Sequence, residues 1–216
     1  MSRWLENSKK NLLPLSVAHD FHAALTEWQF TGEVLKCNSE SSHNYCELCE
    51  QKHLSLHFVI GNSDTGSELR VGSSCILKFP AIGVYDTRGV LVTDPSKREA
   101  RLRAAREEQR IENSLRPLRE LWKRTPEDRG DIRRVAMPIK QYGRLEPLPL
   151  LWLFSRLRAA DVPFDPTLYQ VDLRPLRAAE QMNNMSESEF DQLRPALSRE
   201  QLKRYAHRFS DGLELS

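Results

Sequence analysis

Cys37, Cys46, Cys49 and Cys75 are all the cysteine in the chain, and they fall within 39 consecutive residues of 216. Their spacing is C-x8-C-x2-C-x25-C, and the C-x2-C pair carries the chemistry. Two residues between thiolates let the backbone fold into a knuckle that brings both sulfurs to about 2.3 Å from one ion. A structural zinc ion takes four ligands in a tetrahedron, and four cysteines meet that need. The sequence therefore predicts one structural Zn2+ per chain, held by Cys37, Cys46, Cys49 and Cys75. His43, His53 and His57 are substitute ligands, since imidazole binds zinc well. His53 and His57 also alternate with Leu54, Leu56 and Phe58, as on the outer face of a strand. Unrelated buried thiols are the bland alternative. Disulfides are disfavoured if the chain works in a reducing compartment.

These ligands need elements to position them. Ser16 offers a cap for a helix through about Trp28, with Val17, Phe21, Leu25 and Trp28 at helical spacing. FTGEVLKC suits a strand leading into Cys37. HLSLHFVI (53–60), a turn at NSDTGS and ELRV (68–71) form a hairpin pattern that returns the chain to the knuckle. Gly72, Ser73 and Ser74 then precede CILKF, a short helix with a serine cap that opens near Cys75. A thiol at such a position is more easily ionised, because free N–H groups favour negative charge there.

Asp94 as cap and Pro95 as first residue start a charged helix, TDPSKREARLRAAREEQRIEN. Glu99–Arg103 and Arg103–Glu107 lie at i,i+4. Ser114 and Pro117 predict a restart, with Leu115, Leu118 and Trp122 on one side of a second helix. From about 146 short helices follow, two of them opened by the capping boxes Ser186–Glu189 and Ser198–Gln201. The fold class is thus α+β: a small zinc-bound hairpin and helix module at 1–90, then a mainly helical region at 91–216.

The order W-x-F-x-G-E, C-x-x-C, an alternating strand, T-G and L-x-V-G-S-x-C covers about residues 28–80. It resembles a treble-clef zinc finger and, more narrowly, zinc-binding segments of phage and mobile-element proteins. The usual treble clef draws two ligands from its helix, whereas only Cys75 is available there in this chain. The resemblance implies a zinc-stabilised module used on nucleic acids or as an interaction platform, and no reaction.

Catalytic motifs are missing. There is no HExxH, GxSxG, phosphate loop or Rossmann fingerprint, and 9 glycines leave little for a backbone-lined phosphate site. His19 and His22 share a helical face but read as its polar side. A zinc ion with four sulfur ligands has no open position for water.

Net charge is only +2, but residues 91–145 hold 15 Lys/Arg against 9 Asp/Glu. Arg98, Arg101, Arg106, Arg110, Arg133 and Arg134 are the candidate phosphate contacts for DNA or RNA, since Arg and Lys supply most non-specific affinity. Lys97, Arg98, Arg101, Arg103, Arg106 and Arg110 spread around the helix with glutamates between them, which equally describes a solvated, ion-paired helix. A protein partner is the alternative, with an exposed apolar patch near Leu148–Phe154 as its sign. No apolar run reaches membrane-spanning length, so a cytoplasmic, membrane-free protein is expected.

Overall fold

The computed structural model describes residues 2–37 and 44–210. It is an α+β fold, with three antiparallel strands in the N-terminal part followed by a helical region. The chain divides into two compact units, Met1–Gln109 and Arg110–Ser216, each with its own apolar core.

The first unit opens with α1 (Arg3–Leu12), which turns Leu12 fully into the core. Leu5, Ser8 and Leu12 recur along one side of this helix, the spacing of a core-facing stripe. A 3₁₀ turn at Leu13–Leu15 follows, then α2 (Phe21–Thr26). The helix expected from Ser16 to Trp28 is not formed. Asp20 is the cap instead, its carboxylate accepting from the His22 and Ala23 N–H groups at 2.9 and 3.0 Å. The Ser16 hydroxyl accepts the Trp28 indole N–H at 2.9 Å. Trp28 itself begins a strand.

The sheet has the order β1 (Trp28–Lys36), β2 (Leu56–Asn62), β3 (Glu68–Val71). Phe58 lies opposite Val34 and Val71, and Ile60 opposite Phe30 and Leu69, so one apolar face is shared by all three strands. The register shifts between Phe30 and Val34, where Gly32 takes a φ of +93°. The β2–β3 turn is held by Asn62, whose side-chain oxygen accepts from the Asp64 N–H at 2.9 Å, and by Gly66 at φ +69°. Both outer strands are met by loop backbone along part of their length. On β1 the Phe30 N–H donates to Gly83, and the Gly83 N–H donates to Trp28, each at 2.8 Å. On β3 the Glu47 N–H donates to the Arg70 carbonyl at 2.9 Å, and its carboxylate accepts the Arg70 N–H at 2.5 Å.

The short helix α3 (Ser73–Lys78) has Gly72 at its cap and no side-chain capping bond, so the expected serine cap is not used. α4 (Pro95–Arg124) then runs for 30 residues. Asp94 caps it as expected, accepting from the Lys97 N–H at 2.9 Å. The predicted restart near Ser114 does not occur: the Ser114 hydroxyl donates to Ile111 at 2.7 Å, and Pro117 stays inside the helix. Leu102 and Ala105 pack in the first core, while Leu118 and Leu121 pack in the second. The division between the compact units falls at 109/110, within α4.

Arg98 shares a helical face with Leu102 and Ala105 and is 2% exposed. Its guanidinium donates to the carbonyls of Ile76 and Ile82, both at 2.9 Å. Longer bonds reach Phe79 (3.5 Å) and Val92 (3.4 Å). It thereby fastens the chain after α3 to the start of α4.

The second unit continues with α5 (Arg129–Tyr142), α6 (Pro147–Ala159), α7 (Leu176–Asn183), α8 (Glu187–Leu193), α9 (Arg199–Tyr205) and α10 (His207–Ser210). Gly143 ends α5 in the left-handed conformation, φ +70°. Both predicted capping boxes are present, at α8 and α9. Phe154, Phe190, Leu121, Ile139, Leu150 and Leu153 are fully buried in this core. The Tyr169 hydroxyl, also buried, donates to the Ser114 carbonyl at 2.8 Å. No helix among the described residues is long and apolar enough to cross a membrane.

Candidate metal centre

The C-x2-C segment folds as the spacing predicts. The Cys46 N–H donates to Gln51 and the Glu50 N–H to Cys46, both at 2.8 Å, closing the chain into a tight turn. Glu50 takes a φ of +65°, a left-handed conformation unusual for a residue other than glycine. The knuckle is also held from outside. On α1, the side-chain amides of Asn7 and Asn11 donate to the carbonyls of Cys49 (3.3 Å) and Leu48 (3.1 Å). The same two amides reach the Glu50 carboxylate at 3.0 and 3.3 Å. Leu48 is fully buried, so the knuckle is part of the core.

Cys75 arrives on α3, three residues after Gly72. The ligand atoms of Cys46, Cys49 and Cys75 all lie within 4.8 Å of one another, and the Cys46 and Cys75 sulfurs are 3.6 Å apart. The three residues are 0%, 5% and 2% exposed. Among the described residues this is a group of metal-ligating side chains built into a hydrophobic core, and its donors are soft sulfurs suited to a thiophilic cation.

The local electrostatics prepare one thiolate. Cys46 is lowered to about 5, first by the hydrogen bond from the Cys75 thiol and then, against the opposing effect of burial, by backbone N–H groups of Cys49, Gly72 and Leu48. The Gly72 N–H lies 3.4 Å from the Cys46 sulfur. Cys75 is raised, chiefly because it donates that hydrogen bond to Cys46, and burial raises Cys49.

Cys37 is not in this group. Its N–H donates to Ser55 at 3.0 Å, which continues the β1–β2 register in which Leu35 faces His57. Alternate residues of a strand share a face, so Cys37 and His57 lie together, opposite the face carrying Phe58 toward the cysteines. The Cys37 sulfur is 3.2 Å from His57 Nδ1. His57 Nε2 is 2.9 Å from the Tyr45 carbonyl, which can only accept. Nε2 therefore carries the ring proton, and Nδ1 accepts from the Cys37 thiol. Burial raises Cys37, in keeping with a thiol. The structure thus assembles three of the four predicted ligands and places the fourth against a histidine. His43 lies outside the described residues.

The six predicted phosphate contacts are dispersed. Arg98 is corrected outright, because its buried guanidinium is committed to backbone carbonyls and cannot meet a phosphate. Arg110 donates to the Leu168 carbonyl and, at 2.6 Å, to Gly143. Arg101 donates to Tyr85 at 3.3 Å and pairs with Glu108 at 3.2 Å. Arg134 pairs with Asp131 at 2.8 Å. Arg106 and Arg133 are exposed and have no ion-pair partner among the described residues.

Sequence reasoning overlooked Asn7 and Asn11, the two side chains that fasten the knuckle. Their i,i+4 spacing, which puts both on one helical face, was the available signal. No protein-family model, curated protein or solved structure matches the chain.

Proposed function

We propose that the chain is a zinc-stabilised, non-enzymatic protein associated with nucleic acid, of the kind carried by phages or mobile elements. The observation that carries the zinc reading is the cysteine triangle. A tetrahedral ion with zinc–sulfur bonds of about 2.3 Å has sulfur–sulfur edges of about 3.8 Å. The Cys46–Cys75 separation of 3.6 Å approaches that edge. Thiolate ligands favour zinc over harder cations. Burial of all three sulfurs in the core suits a structural ion.

The nucleic-acid reading rests on one of the arginines first expected, Arg106, together with Arg103. Arg103 and Arg106 are exposed on α4 and border the same cavity as the three cysteines. Two exposed guanidiniums beside a rigid, metal-held loop make a suitable phosphate contact. Elemental analysis of the purified chain should give one zinc per chain. Titration with duplex and single-stranded DNA and RNA at several salt concentrations should show affinity falling steeply with salt. Replacing Arg103 and Arg106 by Gln should lower the duplex salt slope by about 2, one for each lost phosphate contact. Absence of zinc refutes the first part. Failure of every nucleic acid to bind more tightly than roughly 10⁻⁴ M refutes the second.

A protein partner is favoured by one observation in the second unit. Leu176 is 90% exposed and Leu148 48% exposed, on helices linked by the Leu148 N–H to Gln181. Of the rest of the expected 148–154 patch, Leu150, Leu151, Leu153 and Phe154 are buried, and Pro149 and Trp152 are half-buried.

A further inference from the structure

We infer that His53, and not Cys37, is the fourth ligand of the metal centre, making it a three-cysteine, one-histidine site; this rests on the zinc reading above. Cys46, Cys49 and Cys75 supply three corners of a tetrahedron, and the fourth must come from a side chain able to enter the same space. The three cysteines line a cavity of about 330 Å³ together with His53, Gly72, Leu102 and the residues of α4 that face it. Apart from the cysteines, His53 and Glu99 are the only residues lining it, among the described residues, that carry an imidazole or carboxylate. Glu99 is paired with Arg103 at 3.0 Å and is a harder donor than the sulfurs beside it. His53 is exposed and has no hydrogen-bond partner among the described residues, so its ring, which stands outside the 4.8 Å group of sulfurs, is free to turn toward them from the cavity it lines.

Backbone geometry supports the same assignment. His53 has a φ of +64°, in the region that L residues with side chains rarely occupy. Such conformations persist where the surroundings impose them, and they gather at ligand-holding sites. The neighbours of His53 are fixed on both sides. The Gln51 carbonyl accepts the Cys46 N–H at 2.8 Å, and the Leu54 N–H donates to Asn44 at 2.8 Å. The segment that carries the ring is therefore pinned to the knuckle that carries two of the sulfurs. Cys37 has the opposite disposition. It sits on the other face of the sheet, and its sulfur is already bonded to His57.

Cobalt substitution of the full-length chain distinguishes the ligands, because thiolate-to-cobalt charge transfer grows with the number of thiolates and the visible bands shift when nitrogen replaces sulfur. Co2+ and Zn2+ are titrated into wild type, Cys37→Ser, His53→Ala and His53→Cys. The expected wild-type spectrum is that of a tetrahedral site with three thiolates and one nitrogen. Cys37→Ser should leave spectrum and affinity unchanged. His53→Ala should bind zinc at least about 100-fold more weakly, beyond the 10- to 100-fold range seen for residues that merely support ligands. His53→Cys should restore tight binding with a fourth thiolate's worth of charge-transfer intensity, which also shows that the loop folds without histidine. Unaltered binding and spectrum in His53→Ala, or loss of the wild-type spectrum in Cys37→Ser, overturns the assignment while leaving the zinc reading intact. Failure of the wild-type chain to bind either metal overturns both.

Discussion

Replacing Arg98 by Met removes a buried guanidinium while keeping most of its apolar volume, so the loss reports the hydrogen bonds rather than a cavity. Two of those bonds, to Ile76 and Ile82, are 2.9 Å long. A hydrogen bond involving a charged group contributes about 1.5–3 kcal/mol, so this pair alone represents about 3–6 kcal/mol. The substitution also recovers some desolvation, which already lowers the basicity of Arg98. It removes a buried Nε that has no partner among the described residues. These gains offset part of the loss and leave a net destabilisation of about 3 kcal/mol, within the range for breaking a buried polar network. Arg98→Lys should lose somewhat less, because the ammonium still donates to some of these carbonyls, yet it should still lose stability because it lacks the planar fork. Guanidinium chloride unfolding of the full chain, followed through tryptophan fluorescence with Trp122 and Trp152 replaced by Phe so that Trp4 and Trp28 report, measures the change in the first unit. A loss below about 1 kcal/mol for Arg98→Met would show that the carbonyls find other donors and that the tie after α3 is dispensable.

The Glu27 carboxylate accepts from the N–H groups of Val17 and Ala18 and from Asn62, and these bonds, led by the one from Val17, hold it below the ordinary glutamate range. Its contribution is present above an unfolded pKa of about 4.3 and is lost as pH falls through the folded value. Glu27→Gln should therefore lower the melting temperature at pH 7, with the gap from wild type closing toward pH 3; a gap independent of pH refutes this. Tyr169→Phe removes the buried hydrogen bond from the Tyr169 hydroxyl to the Ser114 carbonyl and should cost about 0.5–1.5 kcal/mol by denaturant titration. Ser186→Ala breaks the reciprocal cap of α8 and should cost about 1 kcal/mol in the same assay, with faster amide exchange in the first turn of α8 as a local readout.

Features written in local chemistry were legible in the sequence. ELRV forms β3 with the expected bounds, Asp94 and Pro95 start α4, and both capping boxes stand where Ser186 and Ser198 place them. What failed depended on choices between competing partners. Ser16 can cap a helix, but its hydroxyl is claimed by the Trp28 indole, and Asp20 caps α2. Pro117 is a sound signal for a break, yet α4 continues because Leu115, Leu118 and Leu121 keep packing in helical phase against the second core. α5 also escaped notice, although Ile132, Val135, Ile139 and the terminal Gly143 carry its pattern. For the metal centre, the knuckle and Cys75 followed from spacing. The displacement of Cys37 did not, because strand parity relative to the core depends on a register that only the paired strands define. Arg98 counted as a surface charge by type, while its spacing from Leu102 and Ala105 already put it on the buried stripe.

The treatment of the sheet edges has a colloidal consequence. An open strand edge is a template on which another chain can pair, and proteins suppress this by covering the edge or charging it. Here the cover is made of a few loop residues, with Gly83 against β1 and Glu47 against β3. A Cβ at position 83 would lie 2.9 Å from the Tyr85 ring and 3.2 Å from the Gln29 Cβ, so a larger residue requires the exposed Tyr85 ring to swing away and the loop to ease off β1 by a few tenths of an ångström. Replacing that glycine would strain the two backbone bonds by which it covers β1. Part of the first unit's protection against self-association thus rests on one missing side chain, far along the sequence from the strand it covers.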